Sequence, residues 1–271
     1  MDEKTLRRYR SVVHPLIALS VPFVFLVALD RLLRVLMLDT FLPGYFKALT
    51  AKLHSLIPPD RLTRQILAST QLMVQPPHPN QTNQEVFSAD FFSKIGIQRE
   101  TLEALFDEFY ACDFSTLRAL TRPKPEARGI MSAVFREYSQ VVIATQPVFP
   151  LTAIRQRMEW AGVAGFPYTL ITSYENMHAC KPSRAYYLEI VAYLRLEPQE
   201  CLMIGNDLQQ DIRPAALAGL RTCWITESGE TDVACDWQGT LMQLGDMPFR
   251  SVPGQSGPAA SRTAQKHNGE R

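Results

Sequence analysis

The chain of 271 residues lacks a surplus of either charge: 28 Lys and Arg stand against 27 Asp and Glu, a formal net charge of +1. A field so weak holds neither nucleic acid nor an anionic membrane without a local site. Paired cysteines are missing as well. Cys112, Cys180, Cys201, Cys223 and Cys235 are odd in number and form no C-x-x-C, which argues against a disulfide framework or a zinc ribbon and points to a reducing, cytoplasmic setting. The five histidines make no H-x-x-x-H or H-E-x-x-H pair, so any metal would be held by oxygen. No segment repeats at a fixed period, and no apolar run reaches cleanly the roughly 20 residues a spanning helix needs. Val12 to Leu29 comes nearest, behind Lys4, Arg7, Arg8 and Arg10, but His14, Pro15, Ser20 and Pro22 interrupt it and Asp30 closes it. A membrane anchor is thus the lesser reading of this stretch, and Phe23 to Leu29 (FVFLVAL) reads as a short strand buried on both faces.

Hydrophobic residues make up 46% and charged residues 20%, a balance that suits a folded domain and excludes global disorder. From about Phe41 to Tyr138 the apolar residues fall three and four apart, as in FKALTAKLHSLI, LTRQILASTQLM and LEALFDEFYACDF, which predicts a helical block. The Pro- and Asn-rich QPPHPNQTN (75–83) is a loop within it. From Gln140 the pattern changes. QVVIAT (140–145), CLMIGN (201–206) and RTCWIT (221–226) read as strands, with LTAIRQRMEWAG, SRAYYLEIVAYLRL and IRPAALAGL as helices. Such alternation predicts parallel strands with right-handed crossovers in a layered α/β fold. Gly162 and Gly219 stand where helices would end in a left-handed conformation. Residues 251–271 carry no apolar anchors and read as a tail.

Ligands of open parallel sheets bind beyond the carboxyl ends of the strands. Thr145, Gln146 and Pro147 follow VVIA; Asn206, Asp207 and Asp211 follow CLMIG; Lys181 lies between them in ACKPS. Asp207 and Asp211, four apart, suit a hard cation such as Mg²⁺, or else serve as a helix cap and a first-turn acid. Lys181 could neutralise a phosphoryl group or simply be an exposed lysine. Thr145 could donate its hydroxyl to a phosphoryl oxygen or satisfy a turn. His178, Tyr174 and Glu175 are weaker candidates for the same loop region, and Cys180, with no histidine frame around it, reads as a structural thiol.

Thr145 closing one apolar strand, Lys181 followed by Pro182, and G-N-D-x-x-x-D from Gly205 to Asp211 closing another resemble the second, third and fourth motifs of the haloacid dehalogenase (HAD) superfamily of hydrolases. The resemblance runs from about Phe23 to Thr226. It implies a Rossmann-like parallel sheet core (HAD-like) with an inserted all-helical cap: an N-terminal segment 1–11, a core of 12–38 and 136–248, a cap of 39–135 and a tail of 249–271. It further implies Mg²⁺-dependent hydrolysis of a small phosphorylated molecule through an aspartyl-phosphate. Asp207 and Asp211 would then hold the metal, Thr145, Gln146, Lys181 and Asn206 the substrate, with Thr145 and Lys181 catalytic. Asp30 would be the general acid and base.

The family's first motif, D-x-D-G-T-L, reads A-L-D-R-L-L here, from Ala28 to Leu33, in the register set by Asp39 to Phe46 (DTFLPGYF). Ala28 thus stands at the nucleophile, Arg31 at the glycine and Leu32 at the threonine. A methyl group neither attacks phosphorus nor ligates a cation. Two readings follow: a phosphatase-like hydrolase with impaired or lost catalysis, or a non-catalytic member that binds a phosphate ligand or a protein partner through Thr145, Lys181 and Asp207.

Overall fold

The computed structural model describes residues 24–27, 33–34, 40–75, 77–227 and 234–245. Ala28, Asp30, the 1–11 segment and the 249–271 tail lie outside the described residues. A six-stranded sheet forms the centre, built from β1 (Val24–Val27), β4 (Gln140–Ile143), β5 (Leu170–Ile171), β6 (Cys201–Gly205), β7 (Arg221–Ile225) and β8 (Trp237–Gly239). Its order is β5-β4-β1-β6-β7-β8 and every pairing is parallel. The sequence pattern leads to this α/β architecture, and β1, β4, β6 and β7 fall on the expected apolar runs. β5 and β8, of two and three residues, are too short to leave a periodic signal.

Alternation along the strands divides the core. Val141 and Ile143 of β4 and Leu202 and Ile204 of β6 belong to one buried cluster; Val142 and Ala144 with Cys201 and Met203 belong to the other. The first face is covered by α5 (Ala127–Glu137), through Ile130, Met131 and Val134, and by α6 (Leu151–Trp160), through Ala153, Ile154 and Met158. The second is covered by α7 (Arg184–Leu194), which lays down Tyr186, Tyr187 and Ile190, and by Ala215 of α8 (Arg213–Leu217). A sheet buried on both faces needs strands that are apolar throughout, and all five residues of β6 are buried. Gly162 and Gly219 take the left-handed φ values of +72° and +91° expected of residues that end helices before a strand. Arg195 does the same work after α7 without being glycine, at φ 57°.

β2 (Leu33–Arg34) pairs antiparallel with β3 (Arg122–Pro123), so the chain leaves for the helical segment and returns from it along one two-stranded ribbon. Between them stand α1 (Leu42–Leu53), α2 (Pro59–Val74), α3 (Asn83–Ile95), α4 (Arg99–Ala111) and a 3₁₀ segment, Asp113–Leu120. Each helix buries a stripe: Tyr45, Leu49 and Leu53 on α1, Leu62, Ile66 and Met73 on α2, Leu102 and Phe109 on α4. Thr82 and Glu85 close a reciprocal capping box at the start of α3, and Gly96 at φ +72° ends it. That start is pinned to the core: Asn83 N–H donates to Met177 O (2.8 Å), Gln84 N–H to Tyr174 O (2.8 Å), and the Asn83 amide to Pro147 O (3.1 Å).

Candidate functional site

β1 lies between β4 and β6, with Val27 in register with both Ile143 and Ile204. The chain crosses to one side of β1 for β4 and β5 and to the other for β6 to β8, so the carboxyl end of β1 is the switch point of the sheet. Thr145 emerges on one side of it and Asn206 and Asp207 on the other. Thus Thr145, Gln146, Lys181, Asn206, Asp207 and Asp211, far apart in sequence, converge on one sheet edge.

Their hydrogen bonds run mostly to one another and to the backbone. The Lys181 ammonium, buried at 4% exposure, donates to Asp211 Oδ1 at 2.6 Å and to Ala144 O at 2.9 Å. Asp211, equally buried, accepts on its other oxygen from the backbone N–H groups of Asn206 and Asp207, each at 3.2 Å. Gly205 makes this possible, because a Cβ there would overlap the Asp211 side chain. Asp207 is exposed, and its Oδ1 caps the next turn by accepting from Gln209 N–H (2.8 Å) and Gln210 N–H (2.9 Å). Thr145 donates its hydroxyl to Thr172 O (2.7 Å) and its N–H to Thr172 Oγ1 (2.8 Å), while its carbonyl accepts from the Tyr186 hydroxyl (2.7 Å). The Gln146 amide brackets the Lys181 backbone, donating to Lys181 O (3.0 Å) and accepting from Lys181 N–H (2.9 Å). Asn206 O accepts from the Trp224 indole (3.0 Å).

Thr172, Tyr186 and Trp224 were not singled out by sequence reasoning, and Gly205 only as the start of the G-N-D-x-x-x-D motif. Thr172 follows a strand of two residues, and Tyr186 and Trp224 sit in apolar runs that read as core. Of the weaker candidates, Tyr174 and Glu175 line the chamber described below. His178 instead pairs with Glu189, Nδ1 to Oε1 at 2.7 Å, and its backbone N–H donates to the same carboxylate. Cys180 is buried, which pushes its thiol up to about 12.

A Mg²⁺ ion requires octahedral oxygen ligands with carboxylates free to bind it. Asp211 is already the partner of a lysine and two N–H groups, Asp207 is a cap, and Ala28 brings no carboxylate. Among the described residues no cluster of three or more His, Cys, Asp or Glu side chains gathers for a metal. The described donor set does not fit the ion.

Above the sheet edge, between the helical segment and the core, lies a chamber of about 710 Å³. Its floor includes Thr145 and Gln146, and its walls include Phe46, Phe87, Phe92, Phe106 and Phe149. A mostly apolar, concave space of this size with a few polar groups is the usual form of a small-molecule site. The Tyr45 and Tyr110 hydroxyls lie 2.9 Å apart at its side.

The fold agrees with that of known proteins. A HAD-hydrolase-like family model matches residues 178–238, the stretch that holds Lys181, Asn206, Asp207 and Asp211. A 2-haloacid dehalogenase from Pseudomonas syringae superposes with a TM-score of 0.54 at 15% identity, covering 81% of this chain and 94% of that one. An L-2-haloacid dehalogenase does so at 0.51 and 17%, covering 84% and 98%. A phosphoserine phosphatase from Thermus thermophilus is 27% identical over 101 residues, which is 37% of this chain and 39% of that protein, so the match spans less than half of either. The fold is that of these haloacid dehalogenases, and residues 178–238 are similar to the HAD-hydrolase-like family. In this chain the helical segment is inserted between β1 and β4 of the parallel sheet. No helix among the described residues is long and apolar enough to cross a membrane.

Proposed function

We propose that this protein is a phosphatase-like member of the superfamily that has lost the covalent route of hydrolysis and retained the binding of a small molecule in its chamber. The observation that carries the reading is the buried Lys181–Asp211 pair at 2.6 Å, in a chain whose sequence holds alanine, Ala28, where the resemblance puts the nucleophile. In the covalent route a carboxylate attacks phosphorus while a divalent ion and a lysine neutralise the charge that develops. Here Ala28 supplies no attacking oxygen, and the lysine charge is neutralised from within by Asp211. The acid/base and metal roles that the resemblance assigns to Asp30, Asp207 and Asp211 have then no phosphoryl chemistry to serve. Thr145, Lys181 and Asp211 act as a rigid frame beneath the chamber.

The resemblance and the name of the phosphoserine phosphatase relative bring a small phosphorylated molecule as ligand class, which the acidic lining of this chain's chamber does not favour. The test is steady-state hydrolysis of para-nitrophenyl phosphate by the natural chain and by Asp207→Asn, each with and without Mg²⁺. The expected result is the same background rate in all four, with both proteins folded by circular dichroism. Mg²⁺-dependent turnover that disappears in Asp207→Asn overturns the reading.

A further inference from the structure

The chamber's charge is at odds with an anionic ligand. Three carboxylates line it, Glu103, Asp107 and Glu175, together with the Arg157 guanidinium. Glu103 is held by Arg99, Nε to Oε1 at 2.7 Å, and Arg157 is buried with its guanidinium 5.4 Å from the centre of the Phe41 ring. Neither Asp107 nor Glu175 pairs with a basic side chain among the described residues. The Glu175 carboxylate accepts the Leu151 N–H, at 2.9 and 3.1 Å from its two oxygens.

The two acids come from opposite sides, Asp107 from α4 in the helical segment and Glu175 from the core loop after β5, and both act on Tyr174. Its phenol is pushed far up, by burial first and then by Glu175, with Asp107 adding to the effect. Tyr110 is raised too, by burial first, then by Tyr45, with Tyr174 and Glu175 contributing. This end of the chamber therefore carries a negative field over two aromatic rings, while the rest of the wall is rich in phenylalanine. A phosphate or carboxylate entering here is repelled. A protonated amine is attracted by the field and, over a ring face, by the ring quadrupole as well.

From the aromatic lining, the two carboxylates without a basic side-chain partner among the described residues, and the volume, we infer that the chamber binds a small organic amine, cationic at neutral pH, on an aromatic or branched alkyl body. The ammonium lies at the end bearing Asp107, Glu175 and Tyr174, and the body packs among Phe87, Phe92 and Phe106. The assignment rests on the chamber being a ligand site and names the class of its ligand. It holds whether or not hydrolysis occurs.

Three probes of similar size separate the possibilities by calorimetric titration of the full chain: phenethylamine, phenethyl alcohol and phenyl phosphate. The amine is expected to bind roughly tenfold tighter than the alcohol, a factor that one partly desolvated cation–π and charge contact supplies. The phosphate is expected to bind most weakly. Asp107→Asn combined with Glu175→Gln, which keeps an acceptor for Leu151 N–H, should erase the amine's advantage and leave the alcohol's affinity as it was. If that double variant fails to fold, titrating the natural chain at rising ionic strength probes the same contact, since screening weakens the amine's binding and leaves the alcohol's unchanged. An amine no tighter than the alcohol, or a phosphate tighter than both, overturns the amine assignment and leaves the chamber as a ligand site. Failure of all three to bind overturns the assignment and the chamber's role together.

Discussion

Removing one partner of the Lys181–Asp211 pair should cost far more than removing both. Lys181→Met leaves the Asp211 carboxylate buried with two backbone N–H groups and no cation; Asp211→Asn leaves the Lys181 ammonium buried with a carbonyl and an amide oxygen. Each side chain is only 5% exposed, so solvent screens the pair little. An uncompensated charge at that depth costs about 3–5 kcal/mol, whereas replacing a whole buried pair by groups of similar volume is close to neutral. The double variant should therefore be less destabilised than the sum of the singles, by about 2 kcal/mol or more, and the coupling is read from a double-mutant cycle in urea at neutral pH. Singles that each cost under about 1 kcal/mol and simply add would refute the reasoning. Lys181 would then be a loosely held cation, available to a ligand.

Three further outcomes follow from the same geometry. Gly205→Ala should destabilise by about 1–3 kcal/mol and weaken the Lys181–Asp211 coupling in the same cycle, because the new methyl overlaps the Asp211 side chain. Cys180, with its thiol pushed to about 12, exists as thiolate at a fraction of only ~10⁻⁴ at pH 8, so iodoacetamide mapping should find the exposed Cys112 alkylated long before it. For Asp90, burial pushes the pKa up, but hydrogen bonds from Lys94, Ser69 and Gln65 and the Lys94 charge outweigh it and hold the carboxyl below its usual value. A depressed carboxylate contributes stability that is present above its unfolded pKa and lost as pH falls through its folded one. Asp90→Asn should thus cost about 1 kcal/mol at neutral pH and progressively less in acid, by denaturation at both.

The sheet was legible because burial on both faces forces unbroken apolar runs, and VVIA, CLMIG and RTCWI have few other readings in a chain that alternates them with helices. The positions of Thr145, Lys181 and Asp211 were legible for a related reason: they stand directly after such runs or in the loop between them. What they bond to was not. The partner of Lys181 is thirty residues away, and the choice of Asp211 for the lysine and Asp207 for the cap depends on Gly205 leaving room, which no spacing rule encodes. The chamber was hidden likewise. Phe106 shares a helical apolar pattern with Phe109 and Tyr110, Phe87 and Phe92 stand on a different helix, and only the packing of the helical segment against the core turns them toward one cavity.

The loss of the covalent route is tested most directly by the intact mass of the chain, incubated with excess acetyl phosphate and Mg²⁺ and quenched in acid. The account predicts a mass unchanged from that of the untreated protein. A phosphoryl adduct that maps to a carboxylate, Asp30 included, would contradict it.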